Sequence, residues 1–233
     1  LLVILLGVLA CGRGAEAVET PASPDPADEA DLTGENTDAP EAADPANAVL
    51  FWDDFQDGDS EGWQVSSTWM VQQNGDLYTF STSGEGFAWV PAGSGWKDYA
   101  LKSAYYFERG VLAFNFYLST EGRYIVVFHD EVVSLVKELS GGEQELLAQA
   151  KAPDVVRWRW LAAAVEGSHL QVYLDGALWL EAVDNDPLPG GTFGVGASDG
   201  TAAAVDNVLV NLVPGSLPEG TLQSQPAGSQ VVV

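Results

Sequence analysis

The stretch FWDDFQDGDSEGW, residues 51–63, sets five acidic side chains among four aromatic rings. Carboxylates at that density suit hydrogen-bonded turns, a calcium site built from hard oxygen ligands, or an acid and base acting together. An EF-hand loop needs acids at its first, third and fifth positions and Glu at its twelfth. Counted from Asp53, the third position is Phe55 and the twelfth is Gln64, so the EF-hand reading fails. Strand parity offers another arrangement. Asp53 alternates with Phe51 and Phe55, and in AAVDNVLV Asp206 alternates with Val208 and Val210. If those apolar partners face a core, both aspartates sit at core-facing strand ends, where an unpaired carboxylate is expensive. A structural Ca²⁺ held by Asp206 with Asp53 or Asp54 would clamp the two ends of a domain and neutralise the pair. The competing reading is that these carboxylates accept backbone N–H bonds in Asx turns. Asp57, Asp59 and Glu61, around Gly58 and Gly62, read as a solvated turn.

Other constellations carry less. GASDG, Gly196 to Gly200, has the letters of a nucleophile elbow, but that motif needs a helix after the serine and a histidine later in the chain. TAAAVDNVLV follows instead, and His129 and His169 both come earlier, so Ser198 reads as part of a hairpin turn. Two histidines and one cysteine leave a zinc site short of ligands. No strand places three acids on one face for retaining glycoside hydrolysis, and Glu143-Gln144-Glu145 lacks the spacing. No catalytic residue is assigned. A binding surface is easier to assemble, because outward rings on a sheet stack on the apolar faces of sugars while amides and guanidinium groups take the hydroxyls. By parity the candidates are Tyr117 with Asn115, Tyr173 with Gln171, and Trp160, with Arg123 and Arg157 or Arg159 adjacent. For any single ring, filling a sandwich edge competes with that role.

The elements that must position these residues show period two. In VLAFNFYLS, Leu112, Phe114, Phe116 and Leu118 share one face and Asn115 and Tyr117 the other; in SHLQVYLDG, Leu170, Val172 and Leu174 oppose Gln171 and Tyr173. RYIVVFHDEVVSLVKEL is apolar on both parities, as a strand covered on both sides would be. Turn dipeptides recur, among them Asn74-Gly75, Asp175-Gly176 and Asp199-Gly200. GGEQELLAQAKAP is the one stretch that reads equally as a short helix or a strand edge. About a dozen short strands without α/β alternation point to a jelly roll.

The flanks differ in character. LLVILLGVLAC, residues 1–11, is too short for a bilayer span, which takes about 20 residues, but has the length of a signal-peptide apolar region. Val8-Leu9-Ala10-Cys11 resembles a bacterial lipobox, which makes residues 1–11 a truncated lipoprotein signal and Cys11 the lipidated residue; the alternative is a secretory signal cut near GRGAEA. One cysteine allows no internal disulfide. Residues 12–48 hold no aromatic residue and a single basic one, Arg13, so they read as a disordered acidic linker. Residues 214–233, rich in Pro, Gly, Ser and Gln, read as a disordered tail. Across 233 residues the formal net charge is -25, which argues against nucleic-acid phosphates and anionic lipid as partners.

DDFQDGDSEGW, GRYIVVF, HLQVYLDGALW, GGTFGVGAS and AAVDNVLV, in that order, resemble the landmarks of concanavalin A-like, laminin G-like jelly-roll domains. The similarity is to the variety found in exported bacterial lipoproteins, which includes the 3-keto-disaccharide hydrolase-like domain family. It covers about residues 50–212. The resemblance implies two antiparallel sheets of six or seven strands, one concave, with first and last strands close together. It also implies a structural calcium that takes a carboxylate from the last strand and backbone oxygens. Hydrolase members carry an Arg after the strand that here reads LAFNFYL; Asn115 and Phe116 stand there, so a catalytic role does not transfer.

The expectation is an all-β, antiparallel two-sheet jelly-roll sandwich over residues 49–213. It would be an exported, lipid-anchored cell-envelope protein at the extracytoplasmic face that binds carbohydrate or a cell-surface glycan. It is expected as a monomer, with Ca²⁺ as its candidate cofactor, touching the membrane through its anchor alone. A glycoside-processing hydrolase of the keto-disaccharide type and a structural envelope or adhesion protein are the alternatives.

Overall fold

Alternation of apolar and polar side chains closes into strands wherever a turn residue permits reversal. A computed structural model describes residues 48–153, 156–213 and 230–231. The expected leader with Cys11, the acidic linker and most of the tail lie outside the described residues. In chain order the strands are β1 (Val49–Asp53), β2 (Gln64–Ser67), β3 (Met70–Asn74), β4 (Leu77–Thr82), β5 (Gly86–Trp89), β6 (Tyr99–Arg109), β7 (Val111–Leu118) and β8 (Gly122–His129). They continue as β9 (Val132–Leu139), β10 (Gln144–Lys151), β11 (Arg159–Glu166), β12 (His169–Leu174), β13 (Ala177–Val183), β14 (Thr192–Ala197), β15 (Ala202–Leu212) and the short β16 (Gln230–Val231).

These strands form two antiparallel sheets of eight strands each, more than the six or seven that the resemblance implied. The first runs β13-β12-β11-β6-β15-β4-β3, with β1 added along β15; the second runs β16-β10-β9-β8-β7-β14-β5-β2. The core lies between them. Its rings pack in three groups: Phe55, Trp63, Phe80 and Phe193; Tyr99, Tyr117 and Tyr124; and Tyr105, Phe114 and Phe128. Each such ring removed from water contributes about 1.5–3 kcal/mol, which makes this aromatic seam the main force joining the sheets.

The two-parity apolar run resolves into a hairpin. Asp130, at φ 52°, and Glu131 turn the chain so that His129 faces Val132 and Arg123 faces Glu138. Inward residues Tyr124, Val126, Phe128, Val133 and Leu135 are buried in the core, while outward Ile125 and Val127 are each only 8% exposed. The outer face of this sheet is therefore itself a sheltered apolar surface. GGEQELLAQAKAP is strand, its residues 144–151 pairing with β9.

Two parity expectations are corrected. Tyr117 was assigned to the outward face with Asn115, but the β7–β14 register shifts between Thr192 and Gly194, and Tyr117 takes φ 53°. The irregularity turns its ring inward, where it is 2% exposed and stacks on Tyr99 at 5.4 Å. Asp206 was assigned to the face of Val208 and Val210, but a bulge at Asn207, φ 50°, breaks the alternation. Val205 and Val208 are both fully buried although three positions apart, and Asp206 is buried at 3% exposure beside the bulge. The two ends of the domain do meet: β1 pairs with β15, setting Asp53 opposite Val208.

Candidate functional site

On the outer face of the second sheet lies a groove of about 460 Å³. Its floor is apolar, from Val111 and Ala113 of β7, Ile125 and Val127 of β8 and Val136 of β9. Phe87, Ser66 and Gly196 stand at one side. Across this floor runs a polar ladder over four adjacent strands. Arg123 Nη1 donates to Asn115 Oδ1 at 3.1 Å, and Arg123 Nε donates to Glu138 Oε1 at 2.8 Å. Gln144 Nε2 donates to Glu138 Oε2 at 2.6 Å. Register builds the ladder, since Arg123 is directly opposite Glu138 and Glu138 directly opposite Gln144.

The ladder is self-neutralised and partly sheltered. Asn115 is 1% exposed, and the Arg123 and Glu138 side chains retain 22% and 17% of their exposure. A guanidinium presents five donors and a carboxylate only acceptors, so this row offers both kinds of partner to a hydroxylated ligand without adding net charge. The volume lies within the range of about 300–1,000 Å³ usual for small-molecule sites.

Of the residues expected to form one binding surface, the structure brings together Asn115 and Arg123. Tyr117 is in the core. Gln171, Tyr173 and Trp160 belong to the first sheet, where Gln171 Nε2 donates to Glu181 at 3.0 Å and Lys102 lies 4.5 Å over the Trp160 ring. Arg157 and Arg159 both reach Asp175, at 3.3 and 2.5 Å, at one end of the sandwich. Glu138, Gln144 and Phe87 were not anticipated. The signal for Glu138 was available: a two-residue reversal at Asp130-Glu131 places it opposite Arg123. Ser198 also lines the groove, in the turn before β15; a strand, not a helix, follows it.

The acidic stretch behaves differently. Asp53 Oδ1 accepts the Phe55 N–H at 2.8 Å, and Asp54, Asp57 and Asp59 each accept from the residue two positions on. This is a succession of Asx turns. The second oxygen of Asp53 accepts the Trp63 indole N–H at 2.8 Å. Burial pushes the Asp53 carboxyl up to about 6 despite those two bonds. Asp206 goes further, to about 7: burial is the main cause, opposed by the Asn207 N–H, with the Asp54 and Asp53 carboxylates adding repulsion. Among the described residues no group of three or more His, Cys, Asp or Glu is arranged to hold a metal. A cation here would draw on Asp206, on Asp54 or the remaining lone pairs of Asp53, whose two oxygens each accept one hydrogen bond, and on backbone oxygens.

No known protein family and no curated protein matches this sequence. Solved structures do match. A carbohydrate-binding module, CBM66, from Bacillus subtilis is 24% identical with TM-score 0.52, covering 64% of this chain and 95% of its own. A Bacillus subtilis protein of unknown function with a galectin-like fold gives 0.59 at 12% identity over 70% of this chain and 96% of its own. Domain 4 of the extracellular GH43 arabinanase AbnA from Geobacillus stearothermophilus, solved with arabinotriose, gives 0.56 at 12% identity over 76% and 98%. The fold is a jelly-roll sandwich. At these identities the likeness extends to architecture, and the site rests on its own residues.

Proposed function

We propose that this domain binds a neutral glycan in the groove of its second sheet. The observation that carries the reading is the Asn115–Arg123–Glu138–Gln144 ladder laid across an apolar floor beside Phe87. A pyranose or furanose ring has apolar C–H faces and a rim of hydroxyls; Phe87 and Ile125 take the face, and Arg123, Asn115 and Glu138 take the rim. The self-neutralised ladder and a net charge of -25 favour a neutral sugar over an anionic one. Neighbours of the same fold include a module named for carbohydrate binding and an arabinanase domain solved with arabinotriose, which supports the class of ligand. The keto-disaccharide hydrolase resemblance supports the same class without supplying a catalytic residue.

The test is affinity electrophoresis and calorimetry against neutral polysaccharides, including arabinan and β-glucan. Arg123→Ala removes donors to both Asn115 and Glu138 and is expected to weaken binding about tenfold or more. An Arg123→Ala protein that retains wild-type affinity for the bound glycan would rule out this groove. Within the same reading, Ca²⁺ is proposed as a structural ion where the first and last strands of the domain meet, with Asp206 and Asp53 or Asp54 as its carboxylates. The buried Asp206 carboxyl, raised by desolvation and by repulsion from Asp54 and Asp53, supports it.

A further inference from the structure

The groove of the second sheet is longer in one direction than in the other. Its lining begins at Ser66 on β2 and ends at Gln144 on β10, crossing seven consecutive strands: β2, β5, β14, β7, β8, β9 and β10. Neighbouring strands lie about 4.8 Å apart, so the six steps from end to end cover about 29 Å along the sheet. Along a strand the lining reaches only from Val111 to Asn115 and from Arg123 to Val127, which is about 13 Å at about 3.3 Å per residue. A ligand that fills this groove lies across the strands. Among the described residues no further strand closes either end. β2 is the last strand of its sheet, and β16 meets β10 at Ala148 and Gln149, away from Gln144.

The floor lets one chain pass over it. A Cβ built on Gly194 would come 3.2 Å from Phe87 Cζ, and one built on Gly196 would come 3.1 Å from Phe87 Cδ2. The ring therefore spans two outward positions of β14 that glycine leaves empty, as a platform over the sheet and not a wall across the path. Ala113 and Val127 continue the apolar floor, and Glu138 and Gln144 bring hydrogen-bonding groups to the far end. Phe87 and Ile125 start from backbones three strands apart, about 14 Å, so they meet different sugar rings. The charged groups in the lining are the carboxylates of Glu85 and Glu138 and the Arg123 guanidinium, an excess of negative charge that disfavours a polyuronide.

We propose that the groove takes an internal stretch of a linear neutral polysaccharide, laid across the strands with its ends running out past β2 and β10. The inference rests on the glycan reading of this groove and specifies its ligand as a polymer, not a monosaccharide or a chain terminus. One ring stacks on Phe87, the next rings lie on Ala113 and Ile125, and later hydroxyls reach Glu138 and Gln144.

Calorimetry with arabino- and β-gluco-oligosaccharides of two to six residues, and with the linear polymers, tests it. In the series that binds, the hexasaccharide should bind about tenfold or more tightly than the disaccharide, and one polymer chain should take up several protein molecules. Gln144→Ala removes an exposed side chain at one end, and Phe87→Leu keeps apolar bulk over the glycines at the other. Each should weaken the hexasaccharide about threefold or more, while at most one of them affects the disaccharide. Equal affinity for disaccharide and hexasaccharide overturns the proposal. So does uptake of no more than one protein per chain end, or parental hexasaccharide affinity in either variant. If binding is lost in Arg123→Ala but is independent of length, the groove reading stands and the polymer inference fails alone. Binding to none of these glycans removes both.

Discussion

Lys137 alternates with Val133 and Leu135, so its ammonium is carried into the core between the sheets, where side-chain exposure is 6%. Asp184 meets it at 2.8 Å with the same exposure. Burial works against the Asp184 charge, but hydrogen bonds from Lys137, the Tyr124 hydroxyl and the Asp186 N–H outweigh it and hold the carboxyl below its ordinary range. Tyr124 in turn accepts the Leu188 N–H at 3.0 Å, and Lys137 also donates to the Asp186 carbonyl. The network thereby fastens the loop leading into β14, the strand that borders the groove. Replacing Lys137 with Met should leave the buried carboxylate unpaired and cost about 3–5 kcal/mol, read as a lower denaturant midpoint. Adding Asp184→Asn should restore part of that loss, because the amide keeps an acceptor for the Asp186 N–H. A Lys137→Met protein as stable as the parent would show that the pair does not hold this loop. None of this was legible in the sequence, where Lys137 is one polar residue in an apolar alternation and its partner lies far along the chain.

At the scale of elements, the strands were legible because period two and turn residues coincide. β12 alternates as its sequence does, with Leu170, Val172 and Leu174 inside. What failed was parity across irregularities. A bulge shifts every later side chain to the other face, and no residue type announced those at Tyr117 and Asn207. The groove was half legible for the same reason. Asn115 and Arg123 lie before the irregularity in β7 and within the regular β8–β9 hairpin, whereas Phe87 comes from β5, which joins the sheet through β14. Gly196 of β14 stands between Phe87 and Ala113 in register, and a Cβ built there comes 3.1 Å from the Phe87 ring and 3.6 Å from the Asn115 amide. A larger side chain would therefore enter the groove with only the Phe87 ring having to yield. Gly196→Leu should reduce glycan affinity about tenfold or more while the melting temperature changes little. Loss of folding instead of binding would mean that the glycine serves strand packing and not groove space.

For the whole molecule, the consequence of antiparallel closure is that β1 and β15 lie side by side, bringing Asp53 and Asp54 into the electrostatic field of Asp206. Carboxyls at about 6 and about 7 in the folded state, against 3.8 for the ordinary group, keep their protons to higher pH than the unfolded chain does. Where the folded state binds more protons, stability falls as pH rises. The metal-free protein should be most favoured, as far as these groups decide it, below about pH 4. It should lose up to about 1.4 kcal/mol per pH unit per group between there and the folded value, then level off. The overall charge of -25 adds self-repulsion in the same direction, so the pH trend alone does not isolate the site. Asp206→Asn does. In EDTA at pH 8 it removes a buried negative charge and should raise the melting temperature. In Ca²⁺ at pH 8 the parent should gain stability by ligand binding and the variant should not. Parent melts that coincide in EDTA and Ca²⁺ at pH 8 would eliminate the ion. An Asp206→Asn variant destabilised in EDTA would mean that the ionised carboxylate is held by favourable contacts, and the account of the junction as a stressed, cation-seeking closure would fail with it.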